Sequence, residues 1–190
     1  GIGDSEEKLQ YRRGRGQIND RKVATTHSAS GPNELWSWDI TWLPGPAKGF
    51  HFYLYLILDV FSRKIVGWEI HDEESATHAA TLIRRAHLRE DIRDKPLILH
   101  SDNGSPMKGA SMLETLYQLG VVTSFSRPRV SNDNAYSESI FKTCKYRPDY
   151  PYKGFLSIAE ALDWVLNLSY WYHINHTPSG LELLSPHQLN

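Results

Sequence analysis

A chain of 190 residues with 40% hydrophobic and 23% charged residues is long enough to bury one substantial core, and its formal net charge of −1 excludes a uniformly basic nucleic-acid binder, so any such contact must come from local patches. A single cysteine, Cys144, excludes an internal disulfide and paired-Cys zinc sites and fits a reducing cytoplasm. No apolar run nears about 18 residues and no secretory pattern opens the chain, so neither membrane nor export is expected; the start at Gly1 rather than Met reads as a fragment of a longer protein.

Residues 1–31 carry Arg12, Arg13, Arg15, Arg21 and Lys22 among Gly, Ser and Thr, with no periodic apolar residues. Such an arm cannot bury a face, and reads either as a disordered linker or as a basic strap along DNA phosphates. Residues 32–190 then form one domain. Trp36 to Trp42, Phe52 to Val60 and Lys64 to Ile70 are rich in aromatic and β-branched residues and read as three strands in a meander, turned by Pro44-Gly45-Pro46-Ala47-Lys48-Gly49 and by Phe61-Ser62-Arg63. The second run is apolar on both faces, as a covered strand requires. Asp59, at its end, reads as a turn acid that satisfies backbone N–H groups or Arg63 rather than as part of a site.

Ser75 to Glu90 predicts a helix capped by Ser75, with Ala79, Leu82, Ile83 and Ala86 on its buried stripe and Arg84, Arg85 and Arg89 on a solvated face. Leu97 to His100 is a short buried strand that runs into Ser101-Asp102-Asn103-Gly104, delivering the Asp102 carboxylate to a turn. A helix from about Lys108 to Leu119 ends at Gly120, and Val121 to Ser126 is a fifth strand.

Ser131, Asn132 or Asp133 then caps a helix that runs to about Tyr146. Glu138, Lys142 and Lys145 fall in one narrow arc of it, opposite Tyr136, Ile140 and Cys144. Alone, this is a surface Glu–Lys pair, worth a few tenths of a kcal/mol. From Val121 to Lys153, however, the basic residues Arg127, Arg129, Lys142, Lys145, Arg147 and Lys153 outnumber the acids Asp133, Glu138 and Asp149. That local excess is an electrostatic footprint for phosphate. Phe155 to Asn175 reads as a last helix whose apolar stripe of Ile158, Ala161, Leu162, Val165, Leu168, Trp171 and Tyr172 is core or subunit contact.

Asp39, Asp102 and Glu138, the last two separated by thirty-five residues, are carboxylates in apolar settings that call for a hard cation. With Trp-Ser-Trp-Asp-Ile-Thr, Leu-Asp-Val-Phe-Ser-Arg-Lys-Ile-Val-Gly-Trp, His-Ser-Asp-Asn-Gly-Ser and Asn-Asp-Asn-Ala-Tyr-Ser-Glu-Ser in order around them, roughly Pro32 to Asn190 resembles the catalytic core of retroviral-type integrases, and above all the IS3-group insertion-sequence transposases. The resemblance implies an α/β fold of RNase H-like type, a five-stranded mixed sheet with helices on both faces. In that fold the first and fourth strands lie parallel, making neighbours of Asp39 and Asp102.

It also implies a two-metal-ion polynucleotidyl transferase that uses Mg²⁺, with Mn²⁺ able to substitute. Asp39 would bridge both ions, Asp102 hold one and Glu138 the other. Lys145, Lys142, Arg127, Arg129 and Asn134 would contact DNA. The reactions implied are 3′-end cleavage and strand transfer, in a homo-oligomer, with an upstream helix-turn-helix portion supplying end recognition. The Asn175-His176-Thr177-Pro178-Ser179-Gly180 stretch is poorer in Arg and His than its family counterpart. Two other readings compete: a structure-selective nuclease on the same fold, and an inert DNA-binding or multimerising module. Intact carboxylates at all three positions argue against the second, because buried unpaired charge is costly without a metal.

Overall fold

The computed structural model describes residues 29–101, 108–125 and 135–176. Residues 1–28, which include most of the basic arm, lie outside them.

Three strands, β1 (Leu35–Pro44), β2 (His51–Asp59) and β3 (Ile65–His71), form the expected meander. The helix α1 (Ala76–Arg89), strand β4 (Leu97–Ser101), helix α2 (Ala110–Leu119), strand β5 (Val121–Phe125) and helices α3 (Ala135–Lys145) and α4 (Ile158–His176) follow. The sheet order is β3-β2-β1-β4-β5. β1 pairs antiparallel with β2 and parallel with β4, and β4 pairs parallel with β5, so the sheet is mixed, as expected. The strand order turns back on itself at β1, and parallel strands place their C-terminal ends along one rim, where open α/β sheets hold their sites.

Alternation along the strands decides which residue meets which layer. Trp36 and Trp38 of β1, Tyr55 and Ile57 of β2 and Leu97 and Leu99 of β4 point to one face, where Leu82, Ile83 and Ala86 of α1 and Met112 and Leu116 of α2 cover them. Leu43, Leu54, Leu56 and Leu58 point to the other face, packed by Ile140 and Phe141 of α3 and Ala161, Val165 and Tyr172 of α4. The apolar-on-both-faces reading of β2 thus holds because helices lie on both sides of it. Ile158 and Leu162, placed on the buried stripe of the last helix by periodicity, are 40% and 37% exposed at its N-terminal end.

The local signals explain most boundaries. Ser75 accepts a hydrogen bond from the Thr77 N–H at 3.2 Å and caps α1. The buried Tyr55 hydroxyl holds the entry to that helix, donating to the Glu73 carbonyl at 2.6 Å and accepting from the Ser75 N–H at 2.8 Å. Its pKa is pushed up to about 12, first by burial. Gly120 closes α2 in the left-handed conformation, φ 69°. That helix begins at Ala110, two residues later than periodicity suggested, with Gly109 as its N-cap.

The outer face of α1 differs from its sequence reading as a merely solvated one. Arg89 donates to the Val66 carbonyl at 2.9 Å, Arg85 pairs with Glu69 at 2.8 Å, and Arg84 reaches Thr115 and Gln118 of α2. These arginines tie the helix to β3 and to its neighbour, which local sequence cannot foresee.

The connection between α3 and α4 is fastened to the β1–β2 hairpin: the Phe155 N–H donates to the Pro44 carbonyl at 2.8 Å. Gly154 precedes it at φ 92°, and a Cβ there would run into the carbonyl of Gly45. Both strain and overlap oppose a side chain, so Gly154→Ala is expected to lower unfolding free energy by about 2–4 kcal/mol. A urea midpoint within experimental error of the parent would contradict this packing.

Candidate active site

Asp39 lies in the middle of β1, half-buried, opposite Leu56 of β2. Opposed residues share a face, and Leu56 belongs to the α3–α4 side, so Asp39 is on that side too, with Ser37 and Leu43. One carboxylate oxygen accepts the Ile40 N–H at 2.8 Å. The parallel pairing of β1 with β4 runs from Leu35↔Ile98 to Ser37↔His100. Asp39 therefore stands two residues beyond the last paired position, on the C-terminal rim. Asp102 lies outside the described residues; it is bonded to Ser101, the last residue of β4.

Glu138 sits in the first turn of α3 and is exposed. The helix buries Ser137, Ile140, Phe141 and Cys144 and leaves Glu138, Lys142 and Lys145 on its outer side, the split that helical periodicity predicts. Cys144 is 1% exposed, and burial pushes its thiol up to about 12. It is therefore an inert packing residue rather than a nucleophile. Among the described residues, the seam between α3 and β1 holds a polar contact that local sequence does not foretell. The hydroxyls of Ser37 and Ser137, both buried, lie 3.0 Å apart. The residue just before Glu138 is thereby joined to the residue two before Asp39.

Asp59 has the structural role read from the sequence. It is 1% exposed and accepts from the Asn33 N–H at 3.0 Å, the Ser62 N–H at 2.9 Å and the Ser62 hydroxyl. It lies opposite Trp36, toward the other end of β1 from Asp39.

The basic footprint is redistributed. Lys142 and Lys145 are exposed on the Glu138 side of α3. Arg147 is instead engaged in a bidentate pair with Asp149, at 2.8 and 2.9 Å, and lies 4.8 Å over the Trp171 ring. Its guanidinium holds the Asp149 carboxyl below the usual carboxylate range. This pair removes one charge of each sign, so the local excess survives without it. Arg127, Arg129 and Asn134 lie outside the described residues.

The donor set fits a hard divalent cation. Asp39 and Glu138 offer carboxylate oxygens, one half-buried and one exposed, and neither histidine nor thiolate accompanies them on these two elements' outer surface. Among the described residues no group of three His, Cys, Asp or Glu side chains gathers at metal-binding distance. The third candidate, Asp102, is not among those residues.

Residues 29–131 match the family model of the integrase core domain. The transposase for insertion sequence element IS904 from Lactococcus lactis is 33% identical over 183 residues, covering 94% of this chain and 70% of that protein. The chain belongs to the integrase core family. Its relatives place it in the IS3 group of transposases. Transposase InsF for insertion sequence IS3A from Escherichia coli is 30% identical over 128 residues, covering 67% of this chain. This integrase core spans 43% of the InsF length.

Solved structures agree on the fold. The HTLV-2 integrase catalytic core domain in complex with magnesium, in a dimeric form, superposes with a TM-score of 0.56 at 18% identity, over 85% of this chain and 99% of that one. A chain of the simian T-cell lymphotropic virus intasome gives 0.58 at 20% identity, over 84% of this chain and 53% of that one. The RNase H-like architecture expected from the sequence is the one observed. No helix among the described residues is long and apolar enough to cross a membrane.

Proposed function

We propose that this chain is the catalytic core of a DDE transposase, cutting DNA at 3′ ends of a mobile element and joining them to target DNA by in-line phosphodiester attack. The observation that carries the reading is the docking of α3 on the face of β1 that bears Asp39, through the Ser37–Ser137 contact, so that Glu138 is presented on the same side of the sheet. Asp102 follows directly on β4, the parallel neighbour of β1.

In this reading Asp39, Asp102 and Glu138 would hold two Mg²⁺ ions, Asp39 contributing to both. Bound there, such ions activate the attacking water or 3′-hydroxyl and neutralise charge on the phosphoryl and leaving oxygens. The protein's own part is to keep the carboxylates at fixed spacing. Lys142 and Lys145 hold the DNA phosphates beside them as point charges. Arg127, Arg129 and Asn134 precede α3 and would extend that contact. The partners are element ends and target DNA in the bacterial cytoplasm, engaged by more than one copy of the chain because two ends must be joined.

The test is Mn²⁺-dependent resolution of a branched DNA that mimics the strand-transfer product, with the chain and its Glu138→Gln variant. Such a substrate asks little of end-recognition parts. Cleavage with rejoining, lost in the variant, supports the reading. Cleavage without rejoining would replace it with a structure-selective nuclease, and metal binding without any reaction would replace it with an inert DNA-binding module.

The lysines make a separate expectation. Replacing both Lys142 and Lys145 by Ala should weaken DNA affinity by roughly tenfold near 0.1 M salt and reduce the slope of log affinity against log salt by about 1.5–2. An unchanged salt slope, measured by fluorescence anisotropy, would remove these lysines from the interface.

A further inference from the structure

We propose that the buried hydroxyls of Ser37 and Ser137 are positioning groups that set Glu138 against Asp39, by fixing the register and rotation of α3 on β1. The inference rests on the reading of these carboxylates as metal ligands. Around this pair the described seam beneath α3 is mostly apolar: Ile140 and Phe141 pack in one cluster with Leu54, Leu56, Leu58 and Trp68. Hydrophobic burial is non-directional, so such a seam fixes a helix's register less sharply than a directional bond does. A hydrogen bond is directional and short-ranged.

Ser37 is 2% exposed and Ser137 is fully buried, with 3.0 Å between their oxygens. A slip of α3 by one residue, or a turn of a few tens of degrees, would separate two hydroxyls that water cannot reach, and that penalty is what specifies the geometry. The pair is also placed to matter. On the helix it is one residue from Glu138; on the strand it is two residues from Asp39 and on the same face.

A second observation lies at the same level of the sheet. Ser37 is opposite His100 of β4, and His100 is opposite Ser124 of β5. The His100 Nδ1 and Ser124 Oγ are 3.0 Å apart, with both residues buried. Polar side chains thus occupy one row across three strands, two residues before Asp39 on β1 and two before Asp102 on β4. A row of this kind inside a core is costly unless paired, and its pairs fasten β1 to α3 and β4 to β5 at that level.

The experiment is titration calorimetry of Mn²⁺ into the chain, together with urea unfolding, for Ser37→Ala, Ser137→Ala and the double variant. Ser169→Ala is the comparison for a merely structural hydroxyl, since buried Ser169 donates within α4 to the Leu166 carbonyl at 2.9 Å. Each single variant of the pair is expected to bind Mn²⁺ about five- to tenfold more weakly, and the double variant is expected to be weakened by less than the product of the two single effects, because the bond between the two hydroxyls is lost in all three. Ser169→Ala should lose stability while keeping the parental affinity. Parental Mn²⁺ affinity in both Ser37→Ala and Ser137→Ala, with affinity abolished by Glu138→Gln, would overturn the positioning role alone. Mn²⁺ affinity untouched by both Asp39→Asn and Glu138→Gln would overturn the site and this inference with it.

Discussion

Asp39→Asn and Glu138→Gln should each lower the rate of branched-DNA resolution by at least about 10³-fold, corresponding to roughly 4 kcal/mol of transition-state stabilisation. The amide replaces a charged oxygen ligand by a neutral one of the same shape, so the loss falls on metal-dependent charge neutralisation rather than on packing. Both substitutions should leave the fold intact. Glu138 is exposed, where substitutions typically change stability by no more than about 0.5 kcal/mol. Asp39 uses one oxygen to accept the Ile40 N–H, and an Asn carbonyl can accept the same bond. Measured rates beside urea midpoints separate the two effects, and a variant that keeps its rate within tenfold of the parent would remove that carboxylate from the site.

The second large effect is on stability in acid. His173 of α4 is 4% exposed, and its Nε2 accepts the Ile65 N–H at 3.1 Å, which requires a neutral ring. Burial first, and nearby Lys64 second, lower its pKa to about 4 from an ordinary 6.5. The unfolded chain therefore takes up this proton before the folded one does. Above pH 6.5 both states are neutral and the full contribution is present; between pH 6.5 and about 4 the unfolded state binds more protons and stability falls as pH falls. For a shift of this size the loss approaches about 3 kcal/mol.

Other groups titrate in the same range. His87 is also lowered, by burial and then by Arg93, and the carboxylates begin to protonate. The informative quantity is therefore the difference between the parent and His173→Gln. Glutamine can accept the Ile65 N–H and has no proton to gain. Unfolding free energies from pH 7 to 4 should converge between the two proteins as pH falls. Parallel curves would show that His173 is not the group responsible.

The residues that position the site differ in how visible they are before folding. Glu138, Lys142 and Lys145 were legible as one face of a helix because helical periodicity is local, and Asp39 because a lone acid inside an aromatic strand stands out. The structural role of Asp59 was equally plain, since acids at tight corners satisfy the backbone N–H groups beside them, as Asp59 does for Ser62. Arg147, counted in the basic excess, has partners that the count does not reveal. Its pairing with Asp149 is local, but its seat on Trp171 joins the connection after α3 to α4, far along the chain.

By itself, then, the sequence determined the order and kind of the elements, the apolar faces they bury, the family, and the carboxylates that the family motif marks. Local propensity and periodicity act over a few residues, and motif spacing survives without knowledge of contacts. Tertiary structure alone decided that Ser37 meets Ser137 across 100 residues, that His100 meets Ser124 between strands, and that His173 receives the Ile65 N–H. Each of these is a buried polar group whose partner lies on another element. Which partner it finds depends on the register of packed faces, a property of the assembled layers that no single stretch of chain contains.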